Sequence, residues 1–92
     1  VRVEKLDGLA AGIVHGSGPP DRLGERLLPL FEGDAIQVLV HGHSHVPRNE
    51  TVAGVLLFNP GSPTRPRGPG PGTFGLLIIE NGSIRGEIIE VD

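Results

Sequence analysis

Cysteine, methionine, tryptophan and tyrosine are all missing from this chain of 92 residues, and the absences remove whole classes of chemistry. Without cysteine there are no disulfides, thiolate zinc sites or thiol nucleophiles, so any transition metal must be held by imidazole and oxygen. Three Phe are the whole aromatic complement, the net charge is −3 and the pI is near 5.7. That leaves neither a stacking platform nor a basic surface, which argues against general nucleic-acid binding. No apolar run approaches the roughly 18 residues of a membrane span and no basic-then-apolar leader is present, so no membrane partner is expected and the expected location is cytoplasmic.

Fifteen Gly and nine Pro are plentiful by contrast. The segment "VRVEKLDGLAAGIV" reads as two strands meeting at an Asp-Gly turn over residues 1–14. After the loop "HGSGPP", the stretch "PDRLGERLLPLF" sets Leu23, Leu27, Leu30 and Phe31 at helical spacing. Pro19, Pro20 and Asp21 act as start signals there, and Pro29 as a kink or early stop. A buried strand is expected over 35–41 and another over "TVAGVLLFN". The second stops at "PGSPTRPRGPGPG", where nine of thirteen residues are Pro or Gly. "TFGLLIIE", Asn81-Gly82 and "SIRGEIIEV" predict a closing hairpin.

The resulting order, β-β-α-β-β-β-β, is a mixed α/β layout with too little helix to cover both faces of a sheet. A domain this small buries only about 60–65% of its unfolded surface. Both observations lead to the expectation of a companion half outside the chain.

Three of the four histidines, His15, His43 and His45, fall where a predicted strand gives way to a loop, the edge at which open α/β sheets place their sites. The fourth, His41, lies just inside its strand. A single histidine is more often an ordinary hydrogen-bonded residue than a ligand. An H-x-H pair after a buried strand, joined by a distant His at another strand end, instead suits a divalent transition metal.

At this point the chain resembles a known family. "VLVHGHSHVP" is similar to the Gly-His-Thr/Ser-His motif of the calcineurin-like metallophosphoesterases. "FNPGSPTRPRG" resembles the Asn-Pro-Gly-Ser segment of their small bacterial and archaeal phosphodiesterase branch, and "GIVHGSG" matches that branch's His-Gly-His motif at its first two positions, with Ser17 at the third. The resemblance implies the carboxy-terminal half of a four-layer α/β/β/α sandwich, with residues 1–92 belonging to one domain whose amino-terminal half is absent. It also implies two divalent transition metal ions, of Mn, Ni, Fe or Zn. His15 and His43 would bind one and His45 the other, with His41 and Asn59 in supporting positions and Gly61 and Ser62 on a loop shaping the site.

The family's acidic ligands lie in upstream motifs of the type Asp-x-His and Gly-Asp-x-x-Asp, which this chain does not contain. Asp7, Asp21 and Asp34 sit in turn or helix-edge contexts and are not taken as ligands. The implied reaction is phosphodiester hydrolysis, in which two cations about 3.5–4 Å apart lower the pKa of a shared water and clamp the phosphoryl oxygens. No residue of this chain is assigned a direct catalytic role. Arg48, Arg65 and Arg67 are candidates for a positive rim toward a phosphate-ester substrate, though solvated surface arginines are the more common case. The implied partners are that substrate and the amino-terminal half, with a homo-oligomer also open.

Two rivals bear on this reading. One is a non-catalytic interaction scaffold, or an inactive fragment, of the same fold. The other is a cupin, suggested by His43, His45 and Glu50; no histidine follows His45 to complete a second cupin motif, and a helix is out of place in an all-β barrel.

Overall fold

The computed structural model describes residues 2–16, 22–65 and 70–91. Strands β1 (Arg2–Leu6) and β2 (Leu9–Val14) form the expected hairpin. Asp7 (φ 47) and Gly8 (φ 84) make its two-residue turn, both in the left-handed region that such turns require. Helix α1 (Leu23–Leu27) runs directly into a 3-10 turn, Leu28–Phe31, and then come β3 (Val38–His41), β4 (Arg48–Val52), β5 (Val55–Asn59), β6 (Thr73–Glu80) and β7 (Ser83–Glu90).

Five strands make one mixed sheet in the order β1-β2-β3-β5-β4. β2, β3 and β5 run parallel at its centre, and β1 and β4 pair antiparallel on the two edges. Strands β6 and β7 form a separate antiparallel pair through Asn81 (φ 51) and Gly82 (φ 77). One face of the large sheet carries the helical segment: Leu23, Leu27 and Phe31 pack on Leu39 and Leu57. The other face packs Ala11, Val38, Leu56 and Phe58 against Leu77, Ile84 and Ile88 of the hairpin. Helix, sheet and second sheet are thus three successive layers, in keeping with the mixed α/β class with one helix. β3 is buried on both faces, Val38 toward one layer and Leu39 toward the other.

Three details differ from the sequence-based expectations. "TVAGVLLFN" is not one strand: Ala53 (φ 52) and Gly54 (φ 81) form a tight turn that splits it into the end of β4 and all of β5. Alanine rarely takes a left-handed φ, because its Cβ approaches the following carbonyl, so the pair carries no strong turn signal. Second, the α-helix ends at Leu27, short of the helical spacing that runs on to Phe31. Pro29 lies at the start of the 3-10 turn, where its missing N–H ends the α-helical ladder. The tighter turn swings Leu30 out to 52% exposure while Phe31 stays buried. Pro19, Pro20 and Asp21 lie outside the described residues. Third, the strand expected at 35–41 begins at Val38, because Ala35 is in the left-handed region (φ 50).

The two sheets approach each other closely at Phe58. Its ring lies over Gly75 of β6 and Gly86 of β7, and a Cβ on Gly75 would stand 2.5 Å from a ring carbon, well inside normal contact. Replacing Gly86 by alanine is expected to lower stability by about 1–3 kcal/mol through overpacking. Ala53→Asn, at an exposed turn position, should raise it by up to about 1 kcal/mol. Equilibrium denaturant unfolding of both variants beside the parent checks the pair.

Candidate metal centre

Parallel pairing of β2 with β3 sets Val14 opposite His41, so the residues after both strands leave the sheet at one edge. His15 follows β2 and Gly42 follows β3. The Gly42 N–H donates to the His15 carbonyl at 3.1 Å, extending the ladder by one bond. The His15 and His43 rings consequently meet edge to face, with centroids 5.4 Å apart and planes at 75°. Asn59, the last residue of β5, reaches the same edge, since β5 is parallel to β3 with Phe58 opposite Val40.

The segment from Gly42 to His45 carries unusual backbone. His43 (φ 70) and His45 (φ 58) both occupy the left-handed region, at a price of roughly 1–3 kcal/mol each for residues bearing a Cβ. The Ser44 N–H donates back to the Gly42 carbonyl at 2.8 Å, closing a three-residue turn with His43 at its apex. His45 is oriented from another segment. Its Nδ1 lies 2.8 Å from the Arg65 carbonyl oxygen; a carbonyl can only accept, so Nδ1 is the donor, and in the neutral ring the lone pair lies on Nε2. An imidazole with Nδ1–H held by a carbonyl is the arrangement that prepares Nε2 for a metal. Arg65 is itself held by its N–H, which donates to the Ser62 hydroxyl at 2.9 Å.

His41 points into the helix layer. It is only 4% exposed, and neither ring nitrogen has a hydrogen-bond partner among the described residues. Burial, and secondarily the positive charge of Arg48, lowers its pKa below the ordinary histidine value, which favours the neutral ring. It lines a cavity of about 100 Å³ together with Leu23, Gly24, Ser44, Val46, Pro47 and Arg48.

The candidate rim arginines separate. Arg48 opens β4, and its guanidinium grips Glu25 of α1 through both terminal nitrogens and also contacts Glu50. Its charge is therefore answered by two carboxylates, and Glu50, the third member of the cupin alternative, is committed to it. The Arg65 side chain is exposed, while its carbonyl serves His45. Arg67 lies outside the described residues, as do Ser17 and Asp21.

Among the described residues no three His, Asp or Glu side chains converge into a set able to hold an ion. The donors fit the imidazole portion of a divalent transition-metal site: a facing pair at 5.4 Å and a third ring with its tautomer already set. Three contributors escaped the reading of the sequence, namely Ser44, Glu25 and the Arg65 carbonyl. Ser44 had a visible signal, a hydroxyl between the two histidines of the Gly-His-Ser-His motif.

A sheet with three parallel central strands and histidines collected at its carboxyl edge, layered between a helix and a second sheet, defines a mixed α/β scaffold with a candidate metal centre. The family profile described as the calcineurin-like phosphoesterase superfamily domain matches residues 1–82, and the chain belongs to that superfamily. It is 40% identical over 68 residues to a probable metallophosphoesterase of Methanocaldococcus jannaschii, a match covering 71% of this chain and 34% of that protein. Against a probable metallophosphoesterase of Methanothermobacter thermautotrophicus it is 32% identical over 88 residues, 96% of this chain and 51% of the relative. With phosphodiesterase YfcE of Escherichia coli it shares 45% over 53 residues, 58% and 27% of the two chains. The chain thus spans about half or less of the curated relatives it matches.

Among solved structures it superposes on a Thermotoga maritima protein with a TM-score of 0.66 at 33% identity, covering 98% of this chain and 53% of that one. For Entamoeba histolytica Vps29 complexed with zinc the TM-score is 0.69 at 25% identity, covering 97% and 59%. A predicted phosphoesterase of Streptococcus pneumoniae, at 22% identity, shares the fold with a TM-score of 0.78 over 97% of this chain and 52% of that one.

The Arg48 pair holds the Glu25 carboxyl down from 4.5 to about 2. A depressed carboxyl contributes its stability above pH 4.5 and loses it as pH falls through about 2. Glu25→Gln is therefore expected to be less stable than the parent at pH 7 and to lose less between pH 4.5 and 2. Thermal unfolding followed across that range checks it; parallel curves for the two proteins would contradict it.

Proposed function

We propose that the protein carrying this chain is a metal-dependent phosphodiesterase, and that the chain supplies the histidine side of its site. The observation that carries this reading is the edge-to-face approach of His15 and His43 at the sheet edge, in a chain of the calcineurin-like phosphoesterase superfamily. His15 and His43 would hold one divalent cation and His45 the other, through an Nε2 freed by the Arg65 carbonyl. When bound, such cations polarise a phosphoryl oxygen and lower the pKa of a water.

The chain's own residues orient and hold. Gly42 N–H ties the β3 exit to His15, and the Ser62–Arg65 loop turns the His45 ring. The carboxylate ligands come from an amino-terminal half of the same domain, of which residues 1–92 form the carboxy-terminal part. Mn, Ni, Fe and Zn all suit imidazole with oxygen donors, and the E. histolytica neighbour complexed with zinc supports a divalent metal. Arg65 and Arg67 are the side chains proposed to meet the substrate phosphate, whereas Arg48 is proposed to act in the ion pair beneath the site. No helix among the described residues is long and apolar enough to cross a membrane, and a cytoplasmic location is part of the proposal.

The scaffold alternative draws on the lack of any three-ligand set among the described residues. The test is hydrolysis of an aryl phosphodiester with added Mn or Ni by the polypeptide that includes the amino-terminal half. Turnover is expected, and His43→Ala should reduce it to background. Undiminished turnover in that variant would overturn the assignment. Metal analysis of this chain after chelation and repletion separates the two readings, since stoichiometry near zero favours the scaffold.

A further inference from the structure

The turn that carries His43 and His45 is unfavourable in isolation: two residues with a Cβ stand at φ 70 and 58 within a span of three. The hydrogen bond from Ser44 N–H to Gly42 O leaves His43 at the centre of a three-residue turn, and the form with positive φ at its centre is rare and strained. Such a conformation persists only where the surroundings over-determine it.

The surroundings here are two buried side chains. Asn59, with no exposed surface, donates through its amide nitrogen to the Ser44 hydroxyl at 3.0 Å and to the Gly42 carbonyl at 3.4 Å. Its Oδ1 accepts the Gly61 N–H at 2.9 Å, which fixes which end of the amide faces the turn. The buried Ser44 hydroxyl also accepts the Val46 N–H at 3.2 Å, just beyond His45. The bonds grip the backbone on both sides of His43 and across His45, and they leave the imidazoles alone.

We infer that Ser44 and Asn59 form a buried latch that holds the strained turn and thereby aims the His43 and His45 rings, making both of them positioning residues for the metal centre. The inference rests on the metal-site reading above. It predicts that the rings are pre-aimed before any ion arrives, with the strain sustained by β5 through Asn59.

The test compares Ser44→Ala, Ser44→Thr and Asn59→Asp with the parent, each in the polypeptide that includes the amino-terminal half. Asn59→Asp keeps the shape but replaces the donating amide by acceptor oxygen, and Ser44→Thr keeps the hydroxyl. Zinc titration by calorimetry is expected to show affinity lower by about 10–100-fold for Ser44→Ala and Asn59→Asp, the usual effect of removing a partner that orients a ligand, and nearly parental affinity for Ser44→Thr. Hydrogen exchange at the Ser44 amide of the same polypeptide, free of metal, should accelerate in the two disruptive variants and not in Ser44→Thr.

A lowered thermal midpoint with unchanged zinc affinity and unchanged Ser44 amide protection would overturn the latch and leave these residues a packing role. If the parent itself takes up no zinc, the metal reading fails on its own; the latch then stands or falls on the amide exchange. Should Asn59→Asp not fold, the Ser44→Ala and Ser44→Thr pair decides.

Discussion

Everything at the candidate metal centre depends on the parallel alignment of β2 with β3. Parallel strands cannot be joined by a tight turn, so the chain must cross over between them, and the α1 segment does so while covering one face of the sheet. Because both strands point the same way and Val14 lies opposite His41, the residues that follow leave the sheet side by side. His15 and His43 then face each other edge to face. A one-residue slip in that register would send every side chain of one strand to the opposite face. The two hydrophobic layers, sorted as Leu39 to one side and Val38 to the other, oppose such a slip.

Strain and burial are distributed to match. The left-handed residues at 43 and 45 sit beside two buried polar side chains, Asn59 and Ser44. Interiors resist small displacements because they are close-packed, so a turn anchored to the end of β5 inherits the rigidity of the sheet centre. The charged groups on the helix side are similarly arranged. The Arg48 guanidinium spans Glu25 and Glu50, tying α1 to β4 across the sheet edge beside the cavity under His41. Separating such a half-buried pair leaves an uncompensated charge, which is why it serves better as a brace than as a mobile substrate contact.

What could be read along the chain and what could not divide on the range of the forces involved. The Asp7-Gly8 and Asn81-Gly82 turns were legible because their residue types tolerate positive φ, a property of two residues and their backbone. The break at Ala53-Gly54 was not, since alanine adopts that conformation only when the pairing of β4 with β5 compels it. The helical spacing of Leu23, Leu27 and Phe31 pointed to the buried face, while the same spacing misplaced Leu30, which the 3-10 turn carries outward. At the site, His15, His43 and His45 could be picked out by type and by position after strands. Arg48 was picked out by type alone, and its three contacts with Glu25 and Glu50 redirect it.

Local chemistry thus settled most of the elements, two of the three hairpin turns among the described residues and which residues have the right groups for a metal. It also settled, through the lack of cysteine, that only imidazole and oxygen are available. The folded chain decided which of those groups meet. His15 and His43 come together because β2 and β3 share a register, His45 turns because a distant carbonyl at Arg65 holds its Nδ1, and His41 is withdrawn into the helix layer. Distances between residues far apart in the chain arise from packing and hydrogen bonding across elements, and no pattern within a short window encodes them.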